Sequence, residues 1–167
     1  MDHDIVDKIL DQWQSQRPDL DASCLGIVGR ILRLAGHLER RANETLKEFE
    51  LPIWGFDVLG ALRRRGEPYS MTPTELMKSV MLSSGAMTNR IDRLEALGLI
   101  ERIPDDQDRR SLQVLLTVKG RTLIDTASPS RFEEARNAVR NLSDGERDLL
   151  ASLLRKMLLT VEETPQS

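Results

Sequence analysis

The sequence has few of the residues from which disulfides, metal sites and catalytic triads are built. Cys24 is the single cysteine among 167 residues, which excludes an internal disulfide and a cysteine-based zinc cluster. The two histidines, His3 and His37, are too few and too far apart to supply a metal site or a triad. We therefore expect neither a metal nor another cofactor.

Long hydrophobic runs are also missing. No stretch approaches the roughly 20 apolar residues of a membrane-spanning helix, and residues 1–4 lack the basic start and apolar stretch of a secretion signal. Hydrophobic residues make up 40% of the chain and charged residues 31%, which is typical of a soluble globular protein. These features favour a cytoplasmic protein with no membrane partner.

A general excess of positive charge, the usual mark of a nucleic-acid-binding protein, is absent as well. The formal net charge is -3 and the isoelectric point is about 5.5. The charge is unevenly spread, however, because residues 61–121 carry 11 basic and 8 acidic side chains and are the only positive third of the chain. An acidic frame around a basic centre is suited to local contacts with phosphate groups.

Apolar residues recur at helical spacing along most of the chain, which predicts a mainly α-helical fold with a small β-hairpin. We expect a first helix over residues 4–16 and a long second helix over residues 22–49. Asp21 or Ser23 is placed to cap the second helix, and Pro52 lies near the start of a third.

Two more helices are predicted in the last third of the chain. One opens at Thr117 and is expected to be interrupted at residues 128–130, where Ser-Pro-Ser occurs. The other begins with a capping box at residues 143–146 and carries several leucines on one face.

The centre of the chain predicts a helix-turn-helix unit. Thr72 and Glu75 form a capping box at the start of a short helix, and Ser83 or Ser84 caps the next helix, which ends at Gly98. Helix, turn and helix are followed by a hairpin with strands at residues 99–103 and 112–117, so one unit can place a helix in one DNA groove and a ribbon in the next.

The second helix of this unit, residues 84–97, has the pattern of a recognition helix. Met87, Ile91 and Leu94 fall on one side, while small, amide and cationic side chains fall on the other. Asparagine pairs with adenine and arginine with guanine, and the free backbone amides at the helix start can bind a phosphate. The candidate DNA-binding residues here are Ser83, Ser84, Ala86, Met87, Thr88, Asn89 and Arg93.

The tip of the hairpin carries two adjacent arginines, Arg109 and Arg110. A basic ribbon has the shape and charge to enter a narrow minor groove, and Asp106 or Asp108 can hold one guanidinium in place while the other contacts DNA. The sequence does not choose between the two arginines. Double-stranded DNA is thus the predicted partner.

The helices at both ends hold more leucine than one domain needs. They either cover the central unit or pair with a second copy of the chain. We favour pairing, because reading a palindromic operator requires two recognition helices held about one DNA turn apart, and a symmetric dimer supplies that spacing.

The sequence resembles the MarR family of transcriptional regulators. Residues 90–102 and 108–120 are similar to the recognition-helix and wing signatures of that family. The resemblance covers roughly residues 25–160 and implies a winged helix-turn-helix homodimer, usually a repressor that a small anionic or phenolic ligand releases from DNA. It also implies an added helix at 1–19 before a MarR-type domain at 20–167, whose winged unit spans about 52–121 and whose dimerisation helices span about 20–50 and 122–164.

A narrower resemblance links the chain to the urate-responsive branch of the family, whose members carry an added N-terminal helix. It rests on Trp13 with the Arg-Pro-Asp that follows, on residues 54–57 and on residues 83–90. The resemblance implies a ligand pocket framed by Trp13, Asp57 and Arg90, with urate, a related purine or a phenolic acid as the ligand.

Three alternatives remain open at this point. Cys24 is a candidate redox sensor, because peroxide-sensing members of the same family use a cysteine in the corresponding helix, although nothing nearby clearly activates this thiol. A winged helix used only for protein contacts is a second alternative. Enzymatic function has little support: Gly26 and Gly29 lack the strand and third glycine of a dinucleotide-binding loop, and no catalytic set stands out.

Overall fold

The structure is a computed structural model that describes residues 3–80, 87–104 and 112–163. The chain is mainly helical with one small antiparallel sheet, which confirms the predicted fold class. The helices are α1 (Ile5–Gln16), α2 (Leu25–Leu46) with a 3-10 turn at Lys47–Phe49, α3 (Ile53–Arg65), α4 (Pro73–Ser79), α5 (Met87–Ala96), α6 (Val118–Ala138) and α7 (Asp144–Glu163). The strands are β1 (Ser70–Met71), β2 (Ile100–Pro104) and β3 (Leu112–Leu116).

Side-chain caps define where several helices begin. The predicted capping box of α4 is present, since Thr72 accepts from the Glu75 amide while the Glu75 carboxylate accepts from the Thr72 amide. The predicted capping box at Ser143 and Glu146 is present at the start of α7. A third box, which the sequence analysis did not identify, joins Asp4 and Asp7 at the start of α1.

The predicted cap of α2 is wrong. The helix begins at Leu25, and the N-cap position is held by Cys24, which makes no side-chain capping bond. Asp21 instead accepts a hydrogen bond from the Ser23 amide at 2.9 Å. That local bond closes a turn ahead of the helix, so the side chain is not available to the first helical amides.

The predicted interruption of the sixth helix is also wrong, because α6 runs through Pro129 without a break. An internal proline costs about 3 kcal/mol through its missing donor and its steric clash. Burial compensates for this cost: Ile124 and Ala127 lie in the core before the proline, and Glu134 is buried after it. Contacts with α2 and α3 hold the whole helix in place.

The sheet has the order β1-β3-β2, and β2 and β3 confirm the two predicted strands. Ile100 pairs with Leu116 and Pro104 with Leu112. Both strands therefore run side by side from a buried pair of residues to an exposed pair. The two-residue strand β1 was not predicted, because two residues are too short to show an alternating pattern.

Gly120 allows α6 to begin directly against the end of the sheet. A Cβ atom at this position would lie 2.0 Å from the Leu99 carbonyl oxygen, which no side chain tolerates. The Thr117 amide donates to the same carbonyl at 3.1 Å, and the Thr117 hydroxyl caps the helix through the Gly120 amide at 3.0 Å.

The core lies between α3, α4, α5, α6 and the sheet. It is built from apolar side chains that are essentially inaccessible to solvent: Leu46, Val58, Leu59, Leu62, Leu76, Leu94, Ile100, Val114 and Ile124. Within the described ranges, no helix combines the length and apolarity that crossing a membrane requires.

Candidate nucleic-acid interface and ligand site

Helix α5 divides sharply into a buried and an exposed side. Ile91 and Leu94 are packed into the core, as the sequence predicted, and Thr88, Asn89 and Arg93 are exposed on the other side. The exposed side chains can therefore reach a DNA groove without disturbing the core.

Met87 is a correction to the predicted interface. Its side chain is 4% exposed and belongs to the hydrophobic core, so it supports α5 from within and does not face a groove. Its helical spacing from Ile91 and Leu94 places Met87 on the buried side of α5, although it lies near the start of the helix, where base contacts are expected.

Five of the predicted DNA-binding residues lie outside the residues that the structure describes. These are Ser83, Ser84 and Ala86 before α5, and Arg109 and Arg110 between the two strands. Asp106 and Asp108, the proposed partners of the arginines, also lie outside the described residues. Their predicted roles rest on the sequence.

Arg102 fixes the base of the ribbon to the recognition helix. Its guanidinium forms ion pairs with both Asp92 and Glu95 of α5, and its backbone N–H donates to the Glu95 carboxylate at 2.9 Å. Bidentate and charge-assisted contacts of this kind set orientation as well as adding stability. This clamp was not predicted, although two acids at i and i+3 of a helix followed by an arginine within the next strand are a readable signal.

The first turn of α3 faces two arginines of α5, Arg90 and Arg93. The guanidinium carbon of Arg90 lies 5.9 Å from the centre of the Trp54 ring, and that of Arg93 lies 5.7 Å from it. Both distances are within the range of a cation–π attraction. Arg90 is half-buried, and its Nη1 is buried with no hydrogen-bond partner in the described parts of the chain.

Asp57 lies one turn after Trp54 on α3 and is half-buried. Burial raises the pKa of the Asp57 carboxyl above its ordinary value, and the positive charges of Arg131, Arg64 and Arg90 oppose that rise. No ion pair within 4.0 Å joins Asp57 to Arg90 among the described residues, so the two are not simply a salt bridge between helices. A half-buried carboxyl with a perturbed pKa near several arginines is a candidate ligand-binding group.

Arg131 connects this region to the outer helices. Its guanidinium donates to the buried Glu134 carboxylate at 2.9 Å, and the second oxygen of Glu134 lies 3.2 Å from Nε of Arg41 on α2. Glu134 is only 7% exposed, so its charge requires these partners. No sequence signal marks this network, since it joins α6 to an arginine of α2 that is distant along the chain.

Trp13 does not join Asp57 and Arg90 within one chain. Its side chain is 43% exposed on α1, and no ring contact or hydrogen bond of that side chain to either residue occurs among the described residues. Helix α1 packs on α2, where Arg30 pairs with Asp4 at 2.9 Å and Asp7 at 2.6 Å. The aromatic ring beside Arg90 is that of Trp54.

The alternative sensor Cys24 is exposed at the start of α2. In the ranges that the structure describes, no three His, Cys, Asp or Glu side chains cluster as metal ligands would. The groups that meet between α3 and α5 are instead an aromatic face, a buried N–H without a partner and a half-buried carboxyl. Arginine N–H groups recognise planar anions through paired hydrogen bonds, so this set of groups makes the region a candidate ligand site.

Comparison with known proteins identifies relatives of this chain. A model of the MarR family matches residues 51–111. The HTH-type transcriptional regulator PecS of Dickeya dadantii is 33% identical over 152 residues, which are 91% of this chain and 92% of PecS.

Two solved structures are similar over most of the chain. A mutant of E. coli MarR complexed with operator DNA has a TM-score of 0.72 and 28% identity, with 87% of this chain and 97% of that chain covered. BpsR of Bordetella bronchiseptica, whose DNA binding is regulated by 6-hydroxynicotinic acid, also has a TM-score of 0.72, with 27% identity and coverage of 83% and 94%.

The environment of Asp57 predicts a stability change with a definite pH dependence. Because the folded pKa is raised, the protonated form is favoured on folding, and this stabilisation is lost as the pH rises through the folded pKa. Asp57→Asn, which is always neutral, should therefore raise the melting temperature at about pH 7, and the difference should shrink toward about pH 4.

Asp7→Asn is the matched control with the opposite sign. A hydrogen bond from the Arg30 guanidinium holds the pKa of the Asp7 carboxyl below its ordinary value, so its stabilisation is present at neutral pH and is lost in acid. Asp7→Asn should lower the melting temperature at neutral pH. Thermal melts of both variants across the pH range check the pair, and a lower melting temperature for Asp57→Asn at neutral pH contradicts the assignment.

Proposed function

The chain belongs to the MarR family of DNA-binding transcriptional regulators, and from this premise we propose that it is a homodimeric repressor released from its operator by a small anionic or phenolic ligand. The two α5 helices of the dimer enter successive major grooves of a pseudo-palindromic site. The ligand binds beside Arg90, between α3 and α5. The observation that carries this proposal is the placement of Arg90 and Arg93, one turn apart on α5, with one beside the half-buried Asp57 and the other exposed.

The exposed side of α5 supports the DNA-binding half of the proposal. Asn89 and Arg93 offer an amide and a guanidinium, the side chains that pair with adenine and guanine edges, and Thr88 is small enough for close approach. The Arg102 clamp ties the ribbon to α5, so the two reach adjacent grooves as one unit. Arg109 and Arg110 are then the candidates for the minor groove.

The outer helices support a dimer. None of the described residues of α7 is buried, although its leucines form an apolar stripe. Further large apolar side chains are exposed on α1, α2 and α6, including Trp13, Leu32 and Phe132. A second copy of the chain is the occupant that also satisfies the need for two recognition helices.

The class of ligand follows from the groups that would bind it. A planar anion can accept from Nη1 of Arg90, which has no hydrogen-bond partner among the described residues, and can face the Asp57 carboxyl. Urate, a related purine and a phenolic acid belong to this class, and so does the 6-hydroxynicotinic acid that regulates BpsR. The family resemblance assigns Trp13 to the ligand as well; its indole is exposed and contacts neither Arg90 nor Asp57 in the described residues of one chain, so we assign it a role in the ligand-bound dimer.

Release from DNA follows if the ligand prefers one of two dimer states. An anion paired with Arg90 moves a residue of α5 itself, so it changes the angle or spacing of the recognition helices. A difference of about 1 to 3 kcal/mol between the two states gives about 5- to 150-fold weaker DNA binding. The ligand does not need to touch DNA.

Separate substitutions should separate the two activities. Arg93→Ala should weaken binding to a duplex from upstream of the protein's own coding sequence by about 1 to 3 kcal/mol, because it removes a base contact, and should change urate binding much less than DNA binding. Arg110→Ala should act in the same direction. Trp13→Ala and Asp57→Asn should instead blunt the release of DNA by urate.

Fluorescence anisotropy with the labelled duplex and calorimetry with urate measure these effects. Arg136→Ala is the control, because Arg136 is an exposed arginine of α6 that pairs only with Glu133 in the described structure. Reversed outcomes, in which Arg93→Ala abolishes the urate response and Asp57→Asn abolishes DNA binding, contradict the assignment.

The dimer surface can be tested on α7. Leu150→Glu places a charge within the apolar stripe, and burying an unpaired charge should weaken dimerisation by at least about 2 kcal/mol, about 30-fold in the dissociation constant. Ser152→Glu introduces the same charge on the opposite side of the helix and should leave the dimer intact. Sedimentation equilibrium measures both, and equal dissociation constants for the two variants contradict this surface.

A further inference from the structure

The Trp54 ring contacts Arg90, which is assigned to the ligand, and Arg93, which is assigned to DNA. It lies in the first turn of α3 and packs against the core, and its ring is near the guanidinium groups of Arg90 and Arg93. The two distances, 5.9 Å and 5.7 Å to the ring centre, are nearly equal. One indole therefore attracts two cations that come from the same helix.

The two arginines are not equivalent. Arg90 is half-buried with Asp57 nearby, and its Nη1 has no hydrogen-bond partner in the described part of the chain. Arg93 is exposed, and its guanidinium lies against the ring from the solvent side of α5. The two positively charged guanidinium groups beside one ring repel each other. Each therefore weakens the cation–π attraction between the ring and the other guanidinium.

We propose that Trp54 is a positioning residue that couples ligand binding to DNA binding, because Arg90 and Arg93 compete for its ring. This inference rests on the proposed function, in which the ligand pairs with Arg90 and the DNA with Arg93. An anion that draws Arg90 away leaves the ring to Arg93. Arg93 is then held on the protein and is less available to a base edge.

The competition for the ring determines the sign of the coupling between ligand and DNA binding, and it requires no large movement of the helices. Ligand binding strengthens the Trp54–Arg93 contact and weakens DNA binding, and by reciprocity DNA binding returns the ring to Arg90 and weakens ligand binding. The size is that of one cation–π contact near the surface, which corresponds to about a 2- to 5-fold change in affinity.

The coupling can be tested without any ligand, because Arg90→Gln removes the competing cation as the ligand would. Affinity for the duplex from upstream of the protein's own coding sequence is measured at one salt concentration for Arg90→Gln, Trp54→Leu and the double variant. Arg90→Gln should weaken DNA binding about 2- to 5-fold when Trp54 is present and by less than about 1.5-fold in the Trp54→Leu background. Trp54→Phe keeps an aromatic face and should restore most of the dependence.

A spectroscopic measurement distinguishes this coupling from a loss of packing. The chain has two tryptophans, and Trp54→Phe identifies the Trp54 indole N–H signal by removing it from the ¹H–¹⁵N spectrum. Arg93→Ala and saturation with the duplex should shift that signal in the same direction, since both withdraw Arg93 from the ring. If Trp54→Leu does not fold, the Trp54→Phe variant and this signal still distinguish the coupling from a loss of packing.

The outcomes separate the two proposals. An equal cost of Arg90→Gln in the wild-type and Trp54→Leu backgrounds, with normal binding of the duplex by the wild type, overturns the coupling and leaves the proposed function standing. So does an indole signal that the duplex shifts but Arg93→Ala does not. Failure of the wild type to bind the duplex at any salt concentration overturns the proposed function, and the coupling with it.

Discussion

The packing of α5 against α3 is the constraint on which the rest of the structure depends. Leu94 is fully buried, and its Cδ2 lies 3.6 Å from where a Cβ of Gly55 on α3 would stand, which is ordinary van der Waals contact. Full burial of a leucine contributes about 1.5 to 3 kcal/mol. This contact fixes the side of α5 that faces away from the core, so it decides which residues face DNA and which face α3.

Charge is arranged around that contact in a way that serves binding more than stability. Asp57 is half-buried and has no ion pair within 4.0 Å among the described residues, whereas Arg102, Arg131 and Glu134 are paired. The paired groups hold the helices in position, and the unpaired groups remain available to a ligand. Burial disfavours the ionised form of Asp57, which lowers stability at neutral pH. Proteins commonly keep such a destabilising group where binding requires it.

Local rules in the sequence predicted much of this fold. The capping box at Thr72, the turn at Gly98 and the buried stripe of α5 are all decided by neighbours within one or two helical turns, and each was confirmed. Apart from the cap of α2, where a local bond between Asp21 and Ser23 intervened, the predictions failed where distant contacts decide. Pro129 is tolerated because the core holds α6 on both sides of it, and Trp54 meets Arg90 and Arg93 only after α3 and α5 pack together. The family resemblance named Asp57 and Arg90, but only the structure supplied Trp54 as their aromatic neighbour.

The central claim is that two protomers present their α5 helices to one duplex at matched spacing. Hydroxyl-radical footprinting of the protein on the duplex from upstream of its own coding sequence tests this most directly. The account predicts two protected segments related by two-fold symmetry, with centres about one helical turn, about 10 base pairs, or a whole multiple of it apart. A single protected segment without a symmetric counterpart, at protein concentrations that saturate the duplex, would contradict it.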